Sequence, residues 1–178
     1  MTPAELKALV RAIPDFPKPG IVFRDISTLV GHGAGLSAAC SHLADRAADA
    51  GVVAIAGIEA RGFIFGAGVA TRLGLPFLPV RKAGKLPVPV LSVDYALEYG
   101  TDTLEVDPGA VPLTGAIALV DDLIATGGTA SAATELLRRA GGTVSHALFV
   151  IDLPELGGME RLNAGGLQAS ALMAFAGS

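Results

Sequence analysis

The chain has 178 residues, 51% of them hydrophobic and 17% charged, with a formal net charge of -4. That size supports one substantial core with little left for a second domain, and the composition excludes extensive disorder. The acidic balance and the lack of a basic block argue against a protein that holds nucleic acid by phosphate neutralisation, yet leave room for a nucleotide substrate in a local pocket. Cys40 is the single cysteine, so no internal disulfide forms and the cysteine metal patterns are missing. Residues 1–20 carry charges and four prolines without a signal-like apolar run, and no stretch reads as a membrane span. The expectation is a soluble cytoplasmic protein of a reducing compartment.

In chain order, Thr2 and Pro3 open a short helix over Ala4 to Arg11, with Thr2 as N-cap and Pro3 at N1. Pro14 to Gly20 is a stiff loop, because three prolines restrict its backbone. Ile21 to Phe23 reads as a short extended piece, and Leu36 to Ala50 has helical spacing. Val52 to Ala56 is a buried-strand candidate, followed by a small-residue helix over Phe63 to Leu73 and a second strand at Phe77 to Val80. Residues 81–102 break the rhythm, with Arg81, Lys82, Lys85, Pro87 and Pro89, two tyrosines and few core anchors. Thr103 to Val106 alternates like a half-exposed strand. Ala116 to Val120 forms the third core strand, Thr129 to Ala140 the helix after it, and Ala147 to Ile151 the fourth strand. Continuous apolar strands alternating with helices predict an α/β fold, a mainly parallel central sheet flanked by helices.

The segment Asp121-Asp122-Leu123-Ile124-Ala125-Thr126-Gly127-Gly128-Thr129 carries the strongest chemical signal. Gly127 and Gly128 allow close approach of a phosphate to the backbone at a helix start, while Thr126 and Thr129 add hydroxyls. Two adjacent acids at the carboxyl edge of a buried strand are costly unless exposed or paired, and ligands bind at that edge in open α/β sheets. The plain alternative is a strand-to-helix turn whose glycines save space. There is no Gly-Lys-Thr of an ATP-binding loop and no dinucleotide glycine fingerprint, which speaks against ATP hydrolysis and NAD chemistry. The chemistry suggested is handling of a phosphorylated ribose.

This segment resembles the motif by which type I phosphoribosyltransferases bind 5-phosphoribosyl 1-diphosphate (PRPP). Four further stretches are similar to the adenine-using branch of that family: Ile13 to Ile21 with Phe23-Arg24-Asp25-Ile26; Gly57 to Gly66; Val80-Arg81-Lys82 with Gly84-Lys85-Leu86-Pro87; and Tyr95 to Gly100. They occur in the family's order and span about residues 13 to 160. The first motif alone would indicate only the superfamily; the other four bear on the base.

The resemblance implies a single phosphoribosyltransferase domain over 1–178, with 1–30 contributing to a base-binding hood and 81–102 forming a mobile active-site loop. It implies transfer of the phosphoribosyl group from PRPP to N9 of adenine, giving AMP and pyrophosphate. Ala125, Thr126, Gly127, Gly128 and Thr129 would hold the 5'-phosphate, and Asp121 and Asp122 the ribose hydroxyls. Mg²⁺ is expected as cofactor, carried mainly by PRPP near Asp121 and Asp122 with no protein ligand set of its own. Pyrophosphate is a heavily anionic leaving group and needs cations. Arg61 would supply one from the Gly57–Gly62 loop, and its presence at a helix start asks for a reason, since the dipole disfavours it there. Arg81, Lys82 and Lys85 would add others; the plain alternative for these three is a solvated surface cluster.

Glu98 is the expected proton acceptor, with Tyr99 positioning or gating the loop; from the residues alone Glu59 or Glu105 would serve as well. Adenine would be read by backbone near Val22 and Arg24, with apolar contact from Phe23 and Leu153. Arg24 has the alternative role of structural partner to Asp25. His32, His42 and His146 are scattered, Cys40 reads as core, and Phe63 and Phe65 as packing anchors. Two departures from the family stand out: the turn-like Asp107-Pro108-Gly109-Ala110, and Asp152 where a glutamate is commoner. A homodimer without nucleic-acid or membrane partners is expected. The rival functions are a transferase for a 6-oxopurine or xanthine, and a non-catalytic PRPP- or nucleotide-binding regulator.

Overall fold

The computed structural model describes residues 1–97 and 100–176, with Leu97 described by its backbone alone. Thr2 and Glu5 close a reciprocal capping box over the start of α1 (Pro3–Ala8), satisfying two N–H groups that the helix itself cannot. β1 (Arg11–Pro14) and β2 (Val22–Asp25) form a separate antiparallel pair with Ile13 opposite Phe23. The proline-rich loop between them is tied by the Gly20 N–H, which donates to the Asp15 carboxylate at 2.8 Å. A single turn, α2 (Ser27–Val30), leads to α3 (Gly33–Asp49), which is capped by His32 through its Nδ1.

The body follows as β3 (Val52–Ile58), α4 (Arg61–Leu73), β4 (Phe77–Lys82), β5 (Leu91–Leu97), β6 (Gly100–Val106), β7 (Ala116–Ile124), α5 (Gly128–Arg139), β8 (Thr143–Asp152), α6 (Gly158–Ala164) and β9 (Gln168–Ala174). These strands make a seven-stranded sheet in the order β5-β6-β4-β3-β7-β8-β9. The run from β4 to β9 is parallel, while β6 joins β4 antiparallel and β5 joins β6 antiparallel. Leu6, Leu29, Leu43, Phe65 and Val69 pack with Val120 and Val150 in one core cluster. Leu104, Leu119, Leu136, Leu137 and Phe149 build the other. Burial on both sides explains the continuous apolar runs of the central strands.

Two elements differ from the sequence reading, and a third lies beyond its last strand. β7 does not end at Val120 but runs through Ile124, so both aspartates are strand residues. The stretch that looked irregular contains β5 and the first residues of β6, because Tyr95 is buried and Leu91 and Val93 pack on the cluster that holds Leu104 and Val106. Its inward positions alternate, and the polar residues between them mask the pattern. The Ala/Gly-rich tail supplies α6 and β9, where Leu162, Leu167, Leu172 and Met173 are buried. No helix among the described residues is long and apolar enough to cross a membrane.

Candidate active site

A cleft of about 300 Å³ opens at the carboxyl ends of β3 and β7. Its walls are residues 58–61, residues 121–130, Lys82 and Tyr95. Asp122 is only 3% exposed and faces Arg61, whose Nε stands 2.9 Å from Asp122 Oδ2. The contact is one of charge: among the described residues no aligned hydrogen-bond donor reaches that buried oxygen. Arg61 therefore stands where it does against the helix dipole because it compensates a buried carboxylate. Asp121 Oδ1 accepts the Asp122 N–H at 2.9 Å. Loss of hydration, and then the neighbouring Asp122 charge, push the Asp121 carboxyl well above the usual aspartate range. Gly62 makes the crossing possible, since a Cβ there would lie 2.7 Å from Asp121 Oδ1 and 3.0 Å from the Val120 carbonyl.

The loop at residues 125–127 delivers the chain from β7 into α5. Gly127 caps the helix in the left-handed region at φ 77°, with no side chain bonded to the helix start. The first turn of α5 lines the cleft, and its N–H groups have no acceptor within the helix. An anion-binding end is thereby presented to the cavity. The loop is held from behind by residues 153–161, of which the sequence reading names only Leu153, as an apolar contact of the base. Gly158 N–H donates to the Ala125 carbonyl at 3.0 Å, Leu153 N–H to the Ile124 carbonyl at 3.1 Å, and Arg161 Nη1 to the Thr126 carbonyl at 3.4 Å. A Cβ on Gly158 would fall 2.3 Å from the Ala125 oxygen. No local signal at residues 121–129 announces this brace, although Gly157-Gly158 marks a tight turn.

Of the three basic residues expected around a diphosphate, Lys82 lines the cleft; Arg81 and Lys85 do not. The Arg81 guanidinium is engaged by the Glu59 carboxylate, 3.3 Å from Nε, and donates to the Lys85 carbonyl at 3.1 Å. Lys85 is exposed. Glu59 also accepts the Lys82 N–H at 3.0 Å; that bond, with Arg81, holds its carboxyl below the usual glutamate range. Such a carboxylate is a poor proton acceptor, and Glu105 is occupied by the Gly84 N–H at 2.9 Å. Both alternatives to Glu98 thus have structural employment. Glu98 and Tyr99 themselves lie outside the described residues.

Val22, Phe23, Arg24 and Leu153 do not line this cleft. Phe23 packs edge-to-face on Phe16 at 5.3 Å. Arg24 lies 4.8 Å from the centre of the Phe175 ring and donates to the Ala176 carbonyl at 3.2 Å. Phe175 N–H in turn donates to the Asp152 carbonyl, next to Leu153. Arg24 is thus linked through Phe175 to the end of β8, beside Leu153. Asp25 takes Arg11 as its ion partner, at 3.1 Å from Nε, which corrects the alternative role considered for Arg24. Hydrogen bonds from Ser27, and then Arg11, hold the Asp25 carboxyl at about 2. Burial, and then Glu160, push the Asp152 carboxyl up.

Cys40 is buried, which raises its thiol, and Phe63 packs edge-to-face on Phe77 at 5.5 Å. Asp107 caps the one-turn helix Pro108–Ala110, accounting for the turn-like sequence there. Among the described residues no group of three or more His, Cys, Asp or Glu side chains is placed to hold a metal ion. Asp121 and the unaligned buried oxygen of Asp122 do fit a hydrated divalent cation that takes its remaining ligands from a phosphorylated substrate.

Residues 32–161 match the family described as the phosphoribosyl transferase domain. The chain is 64% identical over 177 residues to an adenine phosphoribosyltransferase of Novosphingobium aromaticivorans, covering 99% of each chain. The crystal structure of adenine phosphoribosyltransferase from Thermoanaerobacter pseudethanolicus superposes with a TM-score of 0.92 at 43% identity, over 98% of this chain and 100% of that one. The enzyme of the same name from Giardia lamblia, complexed with 9-deazaadenine, gives a TM-score of 0.91 at 34% identity over 98% of both chains.

Proposed function

The chain belongs to the type I phosphoribosyltransferase family, among its adenine phosphoribosyltransferases, and from that premise we propose how its cleft converts adenine and PRPP to AMP and pyrophosphate. The observation that carries the proposal is the uncapped start of α5 facing Arg61 across Asp121 and Asp122. One end of that arrangement suits a terminal phosphate and the other a diphosphate, with carboxylates between them for ribose hydroxyls.

In this reading the N–H groups of Gly127 to Thr129 and the hydroxyls of Thr126 and Thr129 hold the 5'-phosphate, with Ala125 shaping the loop. Asp121 and Asp122 accept from the ribose hydroxyls. Arg61 and Lys82 neutralise the diphosphate as charge builds on it, and Arg81 and Lys85 serve the same group from the segment 81–102, whose irregular part between β4 and β5 moves as a lid while Lys82 and Tyr95 stay in place. The bond from C1 of the ribose to the diphosphate oxygen breaks as N9 of adenine bonds to C1. The N9 proton passes to Glu98, whose neighbour Tyr99 positions the loop. When bound, Mg²⁺ near Asp121 and Asp122 adds positive charge beside the leaving diphosphate. Val22, Phe23, Arg24 and Leu153 form the adenine pocket, where backbone groups favour a 6-amino over a 6-oxo purine. Residues 1–30 supply its hood within a single domain. In this reading the protein acts in the cytoplasm as a homodimer.

The deciding assay offers PRPP and magnesium with adenine, hypoxanthine, guanine and xanthine side by side. AMP and pyrophosphate formed with adenine alone are the expected products. Turnover of a 6-oxopurine would overturn the base pocket, and PRPP binding without product would overturn the catalytic roles. Sedimentation at micromolar protein checks the dimer.

A further inference from the structure

We infer that Tyr95 and Asp102 are positioning residues for Lys82, holding its ammonium at the wall of the cleft. This inference rests on the reading of Lys82 as a diphosphate contact. Three strands each contribute one member. Lys82 ends β4, while Tyr95 on β5 and Asp102 on β6 stand directly opposite one another in the hairpin register. Lys82 Nζ donates to the Tyr95 hydroxyl at 2.9 Å and pairs with the Asp102 carboxylate. The Tyr95 hydroxyl donates to the same Asp102 oxygen at 3.3 Å, and the other Asp102 oxygen accepts the Thr103 N–H at 2.8 Å.

The arrangement separates two tasks. Tyr95 is 8% exposed and its ring belongs to the core, so its hydroxyl has a fixed position; Asp102 does not line the cleft and acts only through Lys82. A lysine side chain left free samples many rotamers, and ordering it when substrate arrives costs entropy. Here the order exists beforehand, with Nζ also 5.5 Å from the centre of the Tyr95 ring. Burial works against the Lys82 charge, but the bonds to Asp102 and Tyr95 outweigh it and hold the ammonium above the usual lysine range. Both partners sit on the strands that lead to and from residues 98 and 99, so the cation and the hairpin are set by one contact.

The test is steady-state kinetics of Tyr95→Phe, Asp102→Asn and Lys82→Met, singly and as double variants with Lys82→Met. Tyr95→Phe and Asp102→Asn should each raise KM for PRPP about 3–10-fold, with smaller changes in kcat and in KM for adenine. Lys82→Met should raise KM for PRPP at least as much, and in its background each other substitution should add less than about twofold. Full additivity in the double variants would overturn the inference, since the residues would then act without Lys82. A raised KM in Lys82→Met with wild-type values in both partner variants would overturn it alone. An unchanged KM in Lys82→Met would overturn the diphosphate role of Lys82 as well. Tyr95→Phe keeps the buried ring, so it carries the test if Asp102→Asn does not fold.

Discussion

On the β7–α5 side of the cleft, donors come from backbone at the end of a buried parallel strand. On the β5–β6 side, charged side chains are held by other charged side chains. The first kind of construction is set by packing, where glycines let Gly62 cross Asp121 and Gly158 press on Ala125. The second is set by partly exposed ion pairs such as Arg81–Glu59 and Lys82–Asp102. Packing tolerates no added volume but is indifferent to salt. Exposed pairs are worth at most about 1 kcal/mol each and weaken as salt rises. A site divided in this way has one end ordered by packing and the other by ion pairs and hydrogen bonds, whose strength depends on salt.

The contrast can be broken by substitutions on either side. Arg61→Ala removes the cation that belongs to both, and should lower kcat/KM for PRPP about 100- to 1000-fold, or about 3–4 kcal/mol of transition-state stabilisation. A loss below tenfold would mean the diphosphate is held elsewhere. Gly158→Ala introduces a Cβ 2.3 Å from the Ala125 oxygen and should cost about 2–3 kcal/mol in urea unfolding, with a weakened affinity for PRPP. Stability equal to wild type would show that the phosphate loop is not packed as described. Glu59→Gln should cost less than about 1 kcal/mol of stability, a penalty that shrinks in molar salt if exposed ion pairing is its source.

The smallest effect tests the other hairpin, β1–β2. The Asp25 carboxyl titrates at about 2 in the fold against an ordinary 3.8, so its stabilising contribution is complete above about pH 4 and disappears as the pH falls toward 2. Asp25→Asn should therefore lie below wild type at pH 6 in urea unfolding, and the two curves should converge near pH 2. A constant gap across that range would assign the difference to packing.

What the sequence made legible follows the same division. The strand–acid–acid–glycine order at 116–129 predicts the cleft because each residue type has a local reason to be there: apolar for a central strand, glycine for the left-handed cap. Of the strands at 91–106 only Thr103 to Val106 was legible, because Leu91, Val93 and Tyr95 gain meaning only once β6 and β4 lie beside them. For the same reason Arg11 is the partner of Asp25, not the adjacent Arg24. Opposition across strands, rather than proximity along the chain, decides the pair. The end of β7 was misread at Val120, since two acids look like a stop signal until Arg61 supplies the compensating charge.

The turn at Gly157–Gly158 means that the peptide proposed to bind phosphate is not a portable cassette. Residues 121–129 transplanted onto another strand–helix junction would bring the glycines and threonines but leave behind the N–H donors that Gly158, Leu153 and Arg161 supply to the loop carbonyls from about thirty positions downstream. Inheritance of the binding loop is therefore inheritance of two distant stretches together, and a chain that carries only the recognisable one has acquired the signature without the grip.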